Sequence, residues 1–154
     1  MIIQIGDNLK LAEVQMTSNK IFMLENYIGQ YLVLYFYPKD STPVCTTESV
    51  GFADHFEDFA KVNVQIFGVS KDSLSSHQKF KARYNLPFEL IADTEKVLCN
   101  MFGVLKEKSM FGKKYMGVVR STFVIDPSNK LIKAWYEVKV QGHVKEVLTF
   151  ISSL

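Results

Sequence analysis

Tyr31-Leu32-Val33-Leu34-Tyr35-Phe36-Tyr37 is an unbroken run of apolar and aromatic side chains, with Gly29 shortly before it and Pro38 directly after it. A strand buried on both faces reads this way at the centre of a parallel or mixed sheet. Val64-Gln65-Ile66-Phe67-Gly68-Val69-Ser70 is a second run of the same kind. Between the two, Phe52, Phe56 and Phe59 recur at i, i+4 and i+7, one stripe of an amphipathic helix. Strand, helix and strand in this order make a βαβ unit.

Working outward, residues 73–84 predict a second helix with Phe80 and Tyr84 one turn apart, and Pro87 lies just past its end. Residues 88–91 predict a short strand and 94–102 a further helix. Residues 106–118 read as a polar loop punctuated by Gly112 and Gly117. Two apolar runs, 119–125 and 131–136, flank the turn-forming Asp126-Pro127-Ser128-Asn129-Lys130 and predict a hairpin. A last helix is expected over 144–154, with Val147, Leu148 and Ile151 inward. Within residues 1–28, a short β-hairpin is expected around Thr17-Ser18-Asn19-Lys20. The expected architecture is one α/β domain over 1–154 of the thioredoxin type, a central mixed sheet flanked by helices with an N-terminal β-hairpin.

Composition narrows the function classes. The chain has 154 residues, 47% hydrophobic, 13% aromatic and 22% charged, the balance of an ordinary globular protein rather than a disordered or collagenous one. Its formal net charge of +2 is too small to suggest a nucleic-acid partner. No apolar run approaches the ~20 residues of a membrane span. The opening Met1-Ile2-Ile3-Gln4-Ile5-Gly6-Asp7 is charged too early for a secretory signal, so a cytoplasmic or equivalent reducing compartment is expected.

Two cysteines, Cys45 and Cys99, carry the chemistry. A reducing compartment argues against a structural disulfide. The three histidines, His55, His77 and His143, are isolated and show no metal-ligand spacing, so no metal site is expected. Thr42 followed by Pro43 is a natural helix start, Thr as N-cap and Pro at the first helical position. Cys45 then becomes the third helical residue, among backbone N–H groups that lack helical partners, where the helix dipole favours a thiolate. The thiolate is the reactive form of cysteine. Plain packing as a small hydrophobe is the competing account of Cys45. Its place just beyond a central strand, where α/β ligand sites form, favours the reactive one. His55, nearly three helical turns on, reads as a surface histidine rather than a base. Tyr35, Phe36 and Trp135 read as core.

Pro38-x-x-x-Thr42-x-x-Cys45 resembles the active-site motif of the peroxiredoxins. Phe36-Tyr37-Pro38-Lys39-Asp40 with Cys45-Thr46-Thr47-Glu48 is similar to the bacterioferritin comigratory protein, or peroxiredoxin Q, branch. The resemblance continues at Asp93, Phe102-Gly103-Val104, Gly112-Lys113 and Gly117-x-x-Arg120-x-Thr122-Phe123-Val124-Ile125-Asp126, and so covers the chain in order. It implies a thiol-dependent peroxidase for hydrogen peroxide and organic hydroperoxides, with no metal, haem or flavin, monomeric as is usual for this branch. Cys45 would be the peroxidatic cysteine, cycling through a sulfenic acid. Thr42 would hydrogen-bond the peroxide, Pro38 would shield the sulfur, and Arg120 would stabilise the thiolate and the departing oxygen. Glu48, one turn after Cys45, would anchor Arg120, with a solvated surface glutamate as the bland alternative.

Many members of this branch carry a second cysteine five residues after the peroxidatic one. Here that position is Val50. The expected cycle therefore uses one cysteine and an external thiol, whether thioredoxin, glutaredoxin or glutathione. Cys99 as resolving residue is the minority alternative, because a disulfide needs Cα atoms within about 7 Å. A thiol–disulfide oxidoreductase is disfavoured by the absence of Cys-x-x-Cys. A peroxide sensor that passes its oxidation to a partner protein is the non-enzymatic alternative. The lysines of 106–114 form a mildly basic loop, expected to be solvated, with steering of an acidic reductase as the sharper reading.

Overall fold

Alternation along the central strand dictates how the molecule is layered. The computed structural model describes residues 2–154. The run at 31–37 becomes strand β3 (Tyr31–Phe36), preceded by the hairpin β1 (Val14–Met16) and β2 (Lys20–Phe22). After it come helices α1 (Pro43–Asp54) and α2 (Phe56–Lys61), strand β4 (Val64–Ser70), helix α3 (Leu74–Tyr84), strand β5 (Glu89–Ala92) and helix α4 (Val97–Met101). The chain continues through strands β6 (Leu105–Met110), β7 (Lys113–Val118), β8 (Ser121–Ile125) and β9 (Leu131–Trp135) and ends in helix α5 (His143–Ser152). Seven strands form one sheet in the order β2-β1-β5-β4-β3-β8-β9. β3 pairs parallel with β4 and antiparallel with β8, and β4 pairs parallel with β5, so the sheet is mixed, as expected.

Side chains of a strand point alternately to its two faces. Leu32, Leu34 and Phe36 enter one core with Met16, Phe22, Leu98, Cys99, Phe102 and Phe123. Val33, Tyr35 and Tyr37 enter the other with Cys45, Phe52, Phe59, Phe80, Val147 and Ile151. Helices α1, α2, α3 and α5 therefore cover one face and α4 the other. The two cysteines sit in different cores, with the sheet between them.

Tyr35 fixes α1 against this sheet. Its ring stacks on Phe52 at 4.6 Å between centroids, and its hydroxyl donates to Ser49 Oγ at 2.9 Å. Gly68 on β4 makes room for that ring, because a Cβ there would stand 2.7 Å from Tyr35 Oη.

Helix α3 keeps its predicted limits, with Ser73 Oγ accepting from Ser76 N at 3.1 Å and Asn85 closing it in the left-handed region. Three expectations are corrected. The phenylalanine stripe is not one helix: the chain breaks at His55, Phe52 and Phe59 are buried and Phe56 only half so. The helix expected over 94–102 starts later, at Val97, because Asp93 takes the N–H groups of Leu98 and Cys99 on its carboxylate at 3.1 and 2.8 Å. The expected loop at 106–118 is the two-stranded β6–β7 ribbon. Its turn residues Phe111 and Gly112 both have positive φ, the geometry of a two-residue hairpin turn. Most of the ribbon's residues face water, so no apolar alternation marks it in the sequence. Among the described residues no helix is long and apolar enough to cross a membrane.

Candidate active site

Strand β3 delivers the chain to the site. Beyond it, Tyr37 N–H still bonds Val69 O at 3.0 Å, and then the chain leaves the sheet at Pro38. Thr42 is the N-cap of α1 by backbone conformation (φ −83°, ψ 153°), and Pro43 is the first helical residue, as the sequence predicts. The Thr42 hydroxyl does not cap the helix. It donates to Lys39 O at 2.8 Å and so ties the loop to the helix start. The helical ladder opens with Thr46 N–H to Thr42 O at 2.9 Å, so the N–H groups of Val44 and Cys45 lie ahead of it.

Cys45 occupies this first turn and is 1% exposed. Arg120 reaches it from the two-residue link between β7 and β8. Nη2 of Arg120 donates to Cys45 Sγ at 3.4 Å, and Nη1 donates to Glu48 Oε1 at 2.8 Å. Glu48 stands one turn after Cys45 on α1 and is fully buried, not a surface residue. One planar guanidinium thus spans the thiol and the carboxylate, a task for which lysine lacks the fork of donors. Cys99 is also buried, on α4 in the opposite core, so the structure brings together Cys45, Thr42, Arg120 and Glu48 but not Cys99. Pro38 borders the same loop, half-buried. His55 pairs with Asp58 at 3.2 Å at the helix break.

The AhpC/TSA family pattern matches residues 5–134. Peroxiredoxin Bcp of Bacillus subtilis is 47% identical over 154 residues, covering 100% of this chain and 98% of that protein. The chain belongs to the AhpC/TSA family. Among solved structures, a cysteine-to-serine variant of PrxQ from Xylella fastidiosa superposes with a TM-score of 0.93 at 38% identity, covering 99% of this chain and 98% of that one. Peroxiredoxin Q of Xanthomonas campestris gives 0.88 at 41% identity, covering 92% and 90%. The fold is accordingly thioredoxin-like, and the chain is a peroxiredoxin of the Bcp/peroxiredoxin Q kind, an enzyme class of thiol peroxidases.

In this peroxiredoxin a second cluster, invisible to sequence reasoning, holds the loop that precedes Cys45. The Asp40 carboxylate accepts from Tyr37 Oη at 2.5 Å, from Ser76 Oγ at 2.8 Å and from His77 Nδ1 at 2.7 Å, while Asp40 N–H donates to Asp72 at 2.8 Å. Burial works to raise the Asp40 carboxyl, but the hydrogen bonds and charge of His77, with Tyr37 and Ser76, hold it below the usual carboxylate range. His77 Nε2 faces Ile91 O at 2.9 Å, so both ring nitrogens lie against protein oxygens. Asp40, Asp72 and His77 have the composition of a metal site. Both ring nitrogens of His77 are already engaged by protein oxygens, so the cluster reads as a hydrogen-bond network. No local signal links Asp40 to a histidine so far along the chain. His143 was likewise unremarkable in the sequence. It is buried at the head of α5, bonds Thr122 Oγ1 at 2.8 Å, and is held below its usual value by burial, with Arg120 adding to that.

The Glu48 side chain is strained electrostatically. Its Oε2 is buried without a hydrogen-bond partner among the described residues. Burial raises its carboxyl to about 7, against the opposing pull of Arg120. Between the ordinary glutamate value and 7, the folded protein holds a proton that the unfolded chain has released, so stability falls as pH rises through this window and levels off above it. The expected size is about 3 kcal/mol. Urea unfolding from pH 4.5 to 8 should show this decline in the parent protein and its loss in Glu48→Gln. An identical slope in both would refute the assignment.

Proposed function

We propose that this peroxiredoxin reduces hydrogen peroxide and organic hydroperoxides with Cys45 as peroxidatic residue, in a one-cysteine cycle completed by an external thiol. The observation that carries the reading is the Arg120 fork, one arm on Cys45 Sγ and the other on the buried Glu48 carboxylate. Alkyl peroxide reduction is the activity attributed to the Xanthomonas campestris bacterioferritin comigratory protein, a relative at 40% identity.

The Cys45 thiolate attacks the terminal peroxide oxygen, which stays on sulfur with its proton, the O–O bond breaks, and the other oxygen leaves as alkoxide or hydroxide and takes up a proton. Cys45 becomes a sulfenic acid. Arg120 holds a positive charge beside the sulfur throughout. Burial opposes that charge, but Glu48 and Cys45 raise the guanidinium above its ordinary value. Its donors stabilise the charge that develops on the departing oxygen. The Thr42 hydroxyl donates its hydrogen bond to Lys39 O and so offers oxygen lone pairs to the peroxide O–H. Pro38 limits water around the sulfur, and Glu48 acts through Arg120 as a positioning residue.

An external thiol is favoured over Cys99 for two reasons. The two sulfurs belong to cores on opposite faces of the sheet. Burial, with the Asp93 carboxylate beside it, pushes the Cys99 thiol far above its ordinary value, away from the nucleophilic form. Cys99→Ser should therefore leave dithiothreitol-driven peroxide consumption within about twofold of the parent protein, an allowance on the scale of a small perturbation of stability. A collapse of turnover would make Cys99 the resolving residue. Consumption by the parent protein that stops near one equivalent per chain under the same conditions would instead favour a sensor. The remaining parts of the reading are a single domain, a monomer, and a reducing, cytoplasm-like compartment.

A further inference from the structure

The β6–β7 ribbon projects a surface that the chemistry at Cys45 does not use. A groove of about 700 Å³ lies between Pro38 and the ribbon. Lys39, Lys71, Lys108, Lys113 and Lys114 line it, and no carboxylate does. Of the five, only Lys114 has an acidic neighbour within ion-pair distance among the described residues, Glu107 at 3.4 Å. That concentration of charge stands out on a chain whose formal net charge is +2. The apolar part of the surface is equally unusual. Phe111 at the hairpin turn is 97% exposed, with Met110 at 57% and Tyr115 at 43% beside it. Exposed aromatic and methionine side chains clustered in this way mark interaction surfaces.

The ribbon is also fastened to the site. Lys71 Nζ donates to Met116 O at 2.8 Å and Lys108 Nζ to Val118 O at 2.9 Å, and β7 ends two residues before Arg120. At its other border the groove meets Pro38 and Lys39, the residues that enter the Cys45 loop. A molecule seated there lies against the first residues of the loop that leads to Cys45.

We propose that the ribbon and its lysine-lined groove are the docking surface for the electron donor, a dithiol protein whose contact face pairs apolar side chains with acidic ones. The inference rests on the one-cysteine reading, which requires electrons from outside. The partner's thiolate attacks the Cys45 sulfenic sulfur, an S–S bond forms, the S–O bond breaks, and hydroxide leaves as water after taking a proton. The partner's second thiol, as thiolate, then attacks its own sulfur of the mixed disulfide and expels the Cys45 thiolate. Cys45 is reduced by two electrons, the dithiol is oxidised to a disulfide, and one water is released. Lysines around the groove speed encounter with an acidic face, and Phe111 and Met110 supply apolar anchors.

The test compares two reductants, recombinant thioredoxin of acidic pI and dithiothreitol, on the parent protein, Phe111→Ala and the double variant Lys113→Glu/Lys114→Glu. All three positions are surface ones outside the catalytic group. Thioredoxin-driven kcat/KM should fall about tenfold or more in both variants. Its loss with added salt should flatten in the charge-reversed one, while dithiothreitol-driven turnover stays unchanged. Equal thioredoxin-driven rates in all three proteins overturn the proposal, and so does an equal loss with dithiothreitol, which would assign the ribbon to the peroxide step. Binding of anionic vesicles that the variants lose without change in thioredoxin-driven turnover overturns it in favour of a lipid surface. Equilibrium binding of thioredoxin is measured alongside. Failure of the parent protein to consume peroxide with either thiol would then strike the proposed function, while the binding comparison still decides the docking surface.

Discussion

Cys45→Ser should abolish peroxide consumption and leave the fold in place. The serine oxygen is smaller than sulfur and sits in the same pocket, 1% exposed, where Arg120 can donate to a hydroxyl as it does to a thiol. Packing is nearly conserved, so the stability change is on the order of 1 kcal/mol, typical of a mild substitution. The chemistry is not conserved, because a serine hydroxyl does not ionise near neutrality and no histidine stands by to activate it. The only histidines are committed elsewhere: His77 to Asp40 and Ile91, His143 to Thr122 and His55 to Asp58. Turnover with dithiothreitol should fall to background, while circular dichroism and the urea midpoint stay close to the parent values. Retained turnover in this variant would sink the whole assignment.

Arg120→Ala has two separable effects. Removal of a donor aimed at developing negative charge costs about 10²–10³ in rate, and the oxidation of Cys45 by peroxide should slow by that factor. The same change leaves Glu48 buried with neither oxygen paired, a loss on the order of 3–5 kcal/mol if it stays ionised. Glu48 then keeps its proton to higher pH, so the stability deficit of Arg120→Ala should be smallest below pH 7 and grow above it. Arg120→Lys separates the terms: a point charge near the carboxylate restores part of the stability, while loss of the planar fork leaves oxidation slow. Competition kinetics with peroxide and urea unfolding across pH measure the two effects independently. Oxidation at the parent rate in both variants would remove Arg120 from the reaction.

What the sequence made legible follows the range of the interactions involved. The apolar run at 31–36 declares a buried strand because burial on both faces leaves no other composition open to it. Thr42-Pro43 and Ser73 mark helix starts because capping acts within a few residues. Cys45 could be placed in a first turn for the same reason, and its pairing with Arg120 came through family resemblance rather than from the residues between. The Asp40–His77 network was hidden because its members meet only after β4 and α3 have folded beside the loop. The β6–β7 ribbon was hidden because it is mostly wet, and an isolated wet ribbon lacks the period-2 signature that burial imposes. Its turn at Phe111-Gly112 offered one clue, the glycine, which tolerates the left-handed conformation that the bulky Phe111 shares there.

The sheet that separates Cys45 from Cys99 bears on how such a peroxidase ends its working life. On the one-cysteine reading proposed above, the singly oxidised sulfur has no internal thiol to trap it and waits for a donor, and surplus oxidant competes for it during that wait. A second oxygen converts it to sulfinate, a dead end for most thiol enzymes. On that reading the ratio of oxidant to reductant sets the number of turnovers before inactivation, and the barrier between the two thiols would make the protein expendable under oxidant excess.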